Sequence, residues 1–154
     1  GTSHFEYPAN TRNILVMCAG RVDPDFVFEA FRLGAGAVVV SGCHPQDCHY
    51  ISGRQNAGER MERVAKQLDR AGISLERFRV ESVSATEGAK WARIMREMNE
   101  AITELGVEGI KAESEEAYDR ITRRVRRMQQ VPDVEKALEF SETARAFVVK
   151  AGGV

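Results

Sequence analysis

Short, continuous apolar runs that alternate with segments of helical periodicity constrain this chain more than any other feature. Ile14, Leu15, Val16, Met17 and Cys18 form one run that ends at Gly20. Ala37, Val38, Val39 and Val40 form a second, closed by Gly42, and Phe78, Val80 and Val83 mark a third between Arg77 and Ser84. Runs this short, with little polar alternation, suit strands buried on both faces. Helical patterns lie between them. Asp23 and Pro24 have N-cap and first-turn chemistry ahead of Phe26, Val27, Ala30 and Phe31, a segment that stops at Gly34. Ala57, Met61, Val64, Ala65 and Leu68 repeat at helical spacing across residues 54–71, with Gly72 as a C-terminal cap. Ser84 and Glu87 have the spacing of a capping box, opening a helix through Leu105 to Gly106. The order βαβαβα predicts an α/β fold: a parallel sheet of at least three strands, near residues 13–18, 37–42 and 77–83, flanked by helices and joined by right-handed crossovers.

After Gly106 the composition turns to Glu, Arg and Ala, and two further helical stretches, near 113–130 and 133–149, are separated by Pro132. They predict a C-terminal helical hairpin. A piece of about 48 residues struggles to bury its own core. Residues 107–154 are therefore read as an extension of an α/β unit at 1–106. The first of these helices has a narrow apolar stripe of Ala117, Tyr118, Ile121, Val125 and Met128. The second has a wider arc, including Leu138, Phe140, Phe147 and Val148, which leads us to expect that the tail docks on a larger protein of a complex. The alternative is a hairpin packed on its own sheet, with Arg120, Arg123 and Arg124 in a solvated face paired to neighbouring carboxylates.

Composition removes several functions. With 22 basic and 23 acidic residues the net charge is -1, which argues against global electrostatic capture of nucleic acid or anionic lipid. No apolar run approaches the ~18 residues of a membrane span, and no segment resembles a signal peptide, so the expected compartment is the cytosol. A chain of 154 residues buries roughly 70% of its unfolded surface and needs no metal to hold its core, so any metal is expected to be functional. Three cysteines, an odd number, argue against a disulfide framework and toward metal or redox chemistry.

Their placement sharpens this. Cys18 ends the first expected strand, Cys43 follows the second, and Cys48 lies in the polar loop 43–53. Ends of neighbouring strands stand about 4.8 Å apart, and ligands of open α/β sheets collect outside the carboxyl ends. The spacing of Cys43 and Cys48 matches the first pair of plant-type iron-sulfur binding. Asp47, His44, His49 and several glycines surround them, a setting with backbone N–H groups available to thiolate or sulfide charge. Three alternatives stand beside a cluster. Cys18 is a core residue and the others incidental thiols; or the three cysteines bind zinc with His44 or His49; or they belong to a thiol- or zinc-dependent enzyme. Ser84 and Glu87 read as a helix cap rather than a nucleophile and base. Arg21 and Arg54 are either ordinary surface arginines or bridges to cluster sulfides or acidic partner groups.

The segments Val16-Met17-Cys18-Ala19-Gly20-Arg21-Val22-Asp23-Pro24, Ser41-Gly42-Cys43-His44-Pro45-Gln46-Asp47-Cys48-His49-Tyr50 and Ser82-Val83-Ser84-Ala85-Thr86-Glu87-Gly88 resemble the delta, iron-sulfur subunit of methyl-viologen-reducing hydrogenase. The resemblance covers about residues 1–106. It implies electron transfer by a [2Fe-2S] cluster between a hydrogenase or formate dehydrogenase and the flavin-bearing subunit of heterodisulfide reductase, with no catalytic site of its own. It also implies that Cys18, Cys43 and Cys48 are cluster ligands. Members of that family usually carry a further Cys-x-x-Cys pair shortly before the segment that resembles residues 1–8. Three thiolates fall short of the four a [2Fe-2S] centre ordinarily takes. We therefore expect the native polypeptide to extend before Gly1 and to bring at least one more cysteine. A scaffold that has lost its cluster and keeps its docking surfaces is the remaining alternative.

Overall fold

A computed structural model describes residues 4–129. Helix α1 (Pro24–Arg32) starts where the Asp23 side chain accepts a hydrogen bond from the Asp25 N–H at 2.9 Å, with Pro24 in the first turn. Its inner face buries Val27, Phe28 and Phe31. Strand β1 (Val38–Gly42) follows, then α2 (Gly53–Ala71), β2 (Phe78–Ser82) and the long α3 (Gly88–Gln129). Gly72 ends α2 with φ +99°, a left-handed conformation that its missing Cβ makes easy, and its N–H bonds back to the last turn.

The two strands pair in parallel, from Val38 opposite Phe78 to Gly42 opposite Ser82. Helices cover both faces. Val38 and Val40 face a core built from α1, α2 and the far half of α3, including Phe28, Phe31, Met61, Leu68 and Ile121. Val39 faces the other way, onto Trp91, Ile94, Met95 and Met98 of the near half of α3. The period-two alternation of a strand thus sends adjacent valines into two separate clusters.

Two expectations are corrected. The sheet has two strands among the described residues, and residues 14–18 are not one of them, so the three-strand βαβαβα arrangement does not form. Ile14, Leu15 and Met17 are 88%, 96% and 81% exposed. Apolar content licenses a strand, but an edge to pair with decides it. The chain meets the end of β1 instead of its edge: Ala19 sits so close over Gly42 that a Cβ on that glycine would stand 2.7 Å from the Ala19 methyl. The element order is α1, β1, α2, β2, α3, with short 3-10 turns at Ala19–Arg21, Pro45–Asp47 and Leu75–Arg77.

The second correction concerns the tail. The helix expected to end at Gly106 breaks there, at φ +70° and ψ 167°, and resumes at once, so its second limb begins well before residue 113. That limb is part of the main core, with Ala117, Ile121 and Val125 at most 5% exposed. Its arginines are not simply a solvated face, since Arg120 donates to the Arg70 carbonyl and the Arg124 guanidinium lies 4.5 Å from the centre of the Phe28 ring. The expected helix at 133–149 lies outside the described residues.

Arg77 locks these pieces together. It is 1% exposed, and its guanidinium donates to the carbonyls of Gly36 and Ala35, to Glu113 Oε2 at 2.9 Å and to Ser114 Oγ, while lying over the Phe31 ring. Glu113 also accepts from the Ser74 N–H. One side chain therefore joins the entry to β1, the entry to β2 and the far limb of α3.

Candidate functional site

The end of the sheet at Gly42 and Ser82 gathers the three cysteines, although the strand expected to carry Cys18 is absent. Cys18 precedes the turn Ala19–Arg21, and its Sγ accepts from the Gly20 N–H at 3.3 Å. Arg60, from α2, holds that turn down by donating from Nη1 to the carbonyls of Gly20 and Val22, both at 3.0 Å. Cys43 leaves β1 directly after Gly42. The chain then makes the turn Pro45–Asp47, started by Pro45, and Cys48 follows it. Cys48 Sγ accepts from the Arg54 N–H at 3.3 Å in the first turn of α2.

Gly53 makes the convergence possible. A Cβ placed there would stand 2.8 Å from Cys18 Sγ and 3.6 Å from Cys48 Sγ, so both sulfurs lean over the same bare backbone. Gly20 and Gly53 also touch, since a Cβ on Gly20 would meet the Gly53 carbonyl at 3.0 Å. Gly53→Ala is expected to push the sulfurs apart, costing about 1–3 kcal/mol of stability by overpacking. Thiol pairing by added Hg2+ or Cd2+, read by ultraviolet charge-transfer absorption, checks it; an alanine variant that matches the wild-type signal would show that the crowding is relieved.

The thiols are not equivalent. Burial pushes the Cys43 thiol up, and the nearby Cys48 and Cys18 push it in the same direction. Cys48 is lowered, chiefly by the Arg54 N–H, with further N–H help from Tyr50 and Gly53. The backbone thus favours negative charge on Cys48 over Cys43, as expected for a thiolate in a nest of amides.

The histidines go elsewhere. His44 Nε2 donates to Glu87 Oε2 at 2.7 Å, and the same carboxylate accepts from the Ser84 N–H at 2.7 Å. The Ser84 N–H first, and His44 second, hold Glu87 down at about 2. The expected capping contact is thus half made: Glu87 reaches back to Ser84, while the Ser84 hydroxyl meets Thr86 and the helix itself starts at Gly88. His49 is exposed, its ring edge-on to Tyr50. Among the described residues no three His, Cys, Asp or Glu side chains are arranged to close on a single metal ion.

An iron-sulfur cluster would make a different demand, because its thiolates are shared between more than one iron and need not all close on a single ion. Three features suit such a group: an all-sulfur donor set, N–H groups aimed at two of the sulfurs, and the bare backbone at Gly53. A fourth is a buried arginine nitrogen, Arg54 Nε, with no hydrogen-bond acceptor. Arg60 and the Gly20–Gly53 contact were not foreseen. Gly20 and Gly53 flanking the cysteines were the available signal, whereas nothing local marks Arg60 among its charged neighbours on α2.

No helix among the described residues is long and apolar enough to cross a membrane. Comparison with known proteins gives consistent names. The iron-sulfur subunit of the F420-non-reducing hydrogenase of Archaeoglobus profundus is 42% identical over 106 residues, 69% of this chain and 77% of that protein. The iron-sulfur subunit of the vhc F420-non-reducing hydrogenase of Methanococcus voltae is 40% identical over 106 residues, 69% of this chain and 74% of its own length. A third relative is much longer. It is a subunit of the ferredoxin/F(420)H(2)-dependent CoB-CoM heterodisulfide reductase of Methanosarcina acetivorans, 36% identical over 115 residues, 75% of this chain but 14% of that protein. A family model described as methyl-viologen-reducing hydrogenase, delta subunit, matches residues 1–106, and the chain belongs to that family.

Proposed function

We propose that this chain is an electron-transfer subunit in which Cys18, Cys43 and Cys48 hold an iron-sulfur cluster of the [2Fe-2S] type. It carries electrons between a hydrogenase or formate dehydrogenase and the flavin-bearing subunit of a heterodisulfide reductase. The observation that carries this reading is the meeting of three cysteine side chains at one end of the sheet, with the N–H groups of Gly20 and Arg54 donating to the sulfurs of Cys18 and Cys48. The names of the relatives support the iron-sulfur part. The partner rests on the Methanosarcina protein, in which a similar segment is one seventh of a heterodisulfide reductase polypeptide.

When bound, the cluster supplies a store for one electron at a time. The residues of this chain do the rest. The thiolates of Cys18, Cys43 and Cys48 would hold three of the four positions that such a centre ordinarily takes, which leaves one for a donor outside these three. Gly20 N–H and Arg54 N–H donate to the sulfurs of Cys18 and Cys48, and these bonds would favour added negative charge on a group held there. Arg60 fixes the Ala19–Arg21 turn so that Cys18 stays aimed at its two partners. The residues of this chain would hold and orient the group and would make or break no bond in a substrate.

The test is reduction of the anaerobically purified protein by a hydrogenase and H2, followed by addition of the flavin-bearing subunit of a heterodisulfide reductase, with EPR at each stage. A paramagnetic signal that appears on reduction and is lost to the acceptor is the expected result. A protein that stays EPR-silent and featureless in the visible throughout would contradict the proposal.

A further inference from the structure

Arg54 presents a problem of charge that the fold alone does not solve. It lies in the first turn of α2, where the helix dipole disfavours a cation, and it is 9% exposed. Its Nη2 donates to the Ser82 hydroxyl at 3.0 Å. Its Cδ and Nε lie beneath Gly42, 3.3 and 3.8 Å from where a Cβ would stand, so the side chain runs under the residue that leads into Cys43. Nε is buried with no acceptor. Among the described residues no carboxylate comes within ion-pair distance of it. Arg77 shows what a satisfied buried arginine looks like here, with a carboxylate, two carbonyls and a hydroxyl around its guanidinium.

A buried cation without an anion is strongly disfavoured, so the fold needs a compensating negative charge nearby. The groups placed to supply it are the thiols: the Arg54 backbone N–H already bonds Cys48 Sγ, and Cys43 is covalently next to the glycine that covers the guanidinium. We infer that Arg54 is the built-in counter-cation of the cysteine centre, offsetting the charge of the thiolates and of the group they hold and raising its reduction potential. This rests on the proposed cluster. Adding an electron adds one negative charge, and a fixed cation in a water-poor setting stabilises the reduced form more than the oxidised one.

The rival role for Arg54 is a pin between α2 and β2 with no electrical effect. Four proteins separate the two: wild type, Arg54→Lys, Arg54→Met and Ser82→Asp. Each is purified anaerobically as the full chain, its iron measured, and its midpoint potential found by EPR-monitored titration. Ser82→Asp keeps the guanidinium in place and cancels its charge, so an iron-replete Ser82→Asp with the wild-type potential overturns the role even if Arg54→Met does not load.

With the charge kept, Arg54→Lys should stay close to wild type. Arg54→Met and Ser82→Asp should shift the one-electron equilibrium tenfold or more toward the oxidised form, about 59 mV more negative. Potentials equal to wild type in iron-replete Arg54→Met or Ser82→Asp would overturn the counter-cation role and leave the cluster proposal standing. Iron missing from the wild type itself would overturn the cluster proposal and this inference with it.

Discussion

Cys43→Ser is expected to lower iron content at least tenfold while leaving the helical circular dichroism of the protein unchanged. Replacing a partner that only supports a metal ligand costs roughly 10–100-fold in affinity, and replacing a ligand should cost no less. Serine is close in size to cysteine, and its oxygen is a harder and, at neutral pH, protonated donor that iron-sulfur chemistry tolerates poorly. Cys43 is half-buried just after β1 and serine nearly matches it in size, so the fold has little to lose. The expected result is a bleached visible spectrum or a shifted EPR signal in a folded protein. Cys18→Ser and Cys48→Ser should behave alike, and unchanged spectra and iron in all three single variants would end the assignment of these residues.

The largest stability effect is expected at Arg77, far from the cysteines. Arg77→Ala should cost about 3–5 kcal/mol, because it empties a buried site and takes the donor from two carbonyls and from Glu113, whose side chain is 22% exposed. Arg79→Ala is the control. Arg79 is 38% exposed and pairs with Glu97 at 2.6 Å, and an exposed pair of that kind contributes roughly 0–1 kcal/mol. Urea unfolding followed by circular dichroism measures both. Equal losses in the two variants would mean that the Arg77 network is no stronger than a surface ion pair.

What could be read from the residues was whatever is decided locally. The Asp23 and Pro24 start of α1 and the Gly72 end of α2 are visible because capping depends on a few adjacent residues. Residues 38–42 and 78–82 form strands as expected because each finds the other. Residues 14–18 look no different in composition, yet they stay exposed, since pairing is a property of two segments and only one of them was on view in the pattern. Gly106 was legible as a break, but that the helix resumes at once and sends Ala117, Ile121 and Val125 back into the main core is a tertiary outcome. Arg77 reads as one more charged residue in a polar stretch; its burial follows from where Phe31, Gly36 and Glu113 come to rest.

The cysteines meet for a different reason from the one first expected. Convergence through adjacent strand ends requires Cys18 on a strand, and it is not on one. A tight turn over Gly42, held by Arg60, brings Cys18 to the same place. Two glycines, at 42 and 53, do what a strand end would have done: they remove side chains where sulfur and a crossing backbone need the room.

Iron, acid-labile sulfide and zinc, counted per chain in anaerobically purified protein, distinguish a cluster from a zinc site and from a bare scaffold. Iron and sulfide are expected in equal amounts, two of each per chain at full loading as a [2Fe-2S] centre requires, with zinc far below either. Stoichiometric zinc without sulfide would make the three cysteines a zinc site, and a chain with neither metal would be a scaffold without a cluster; each contradicts the account.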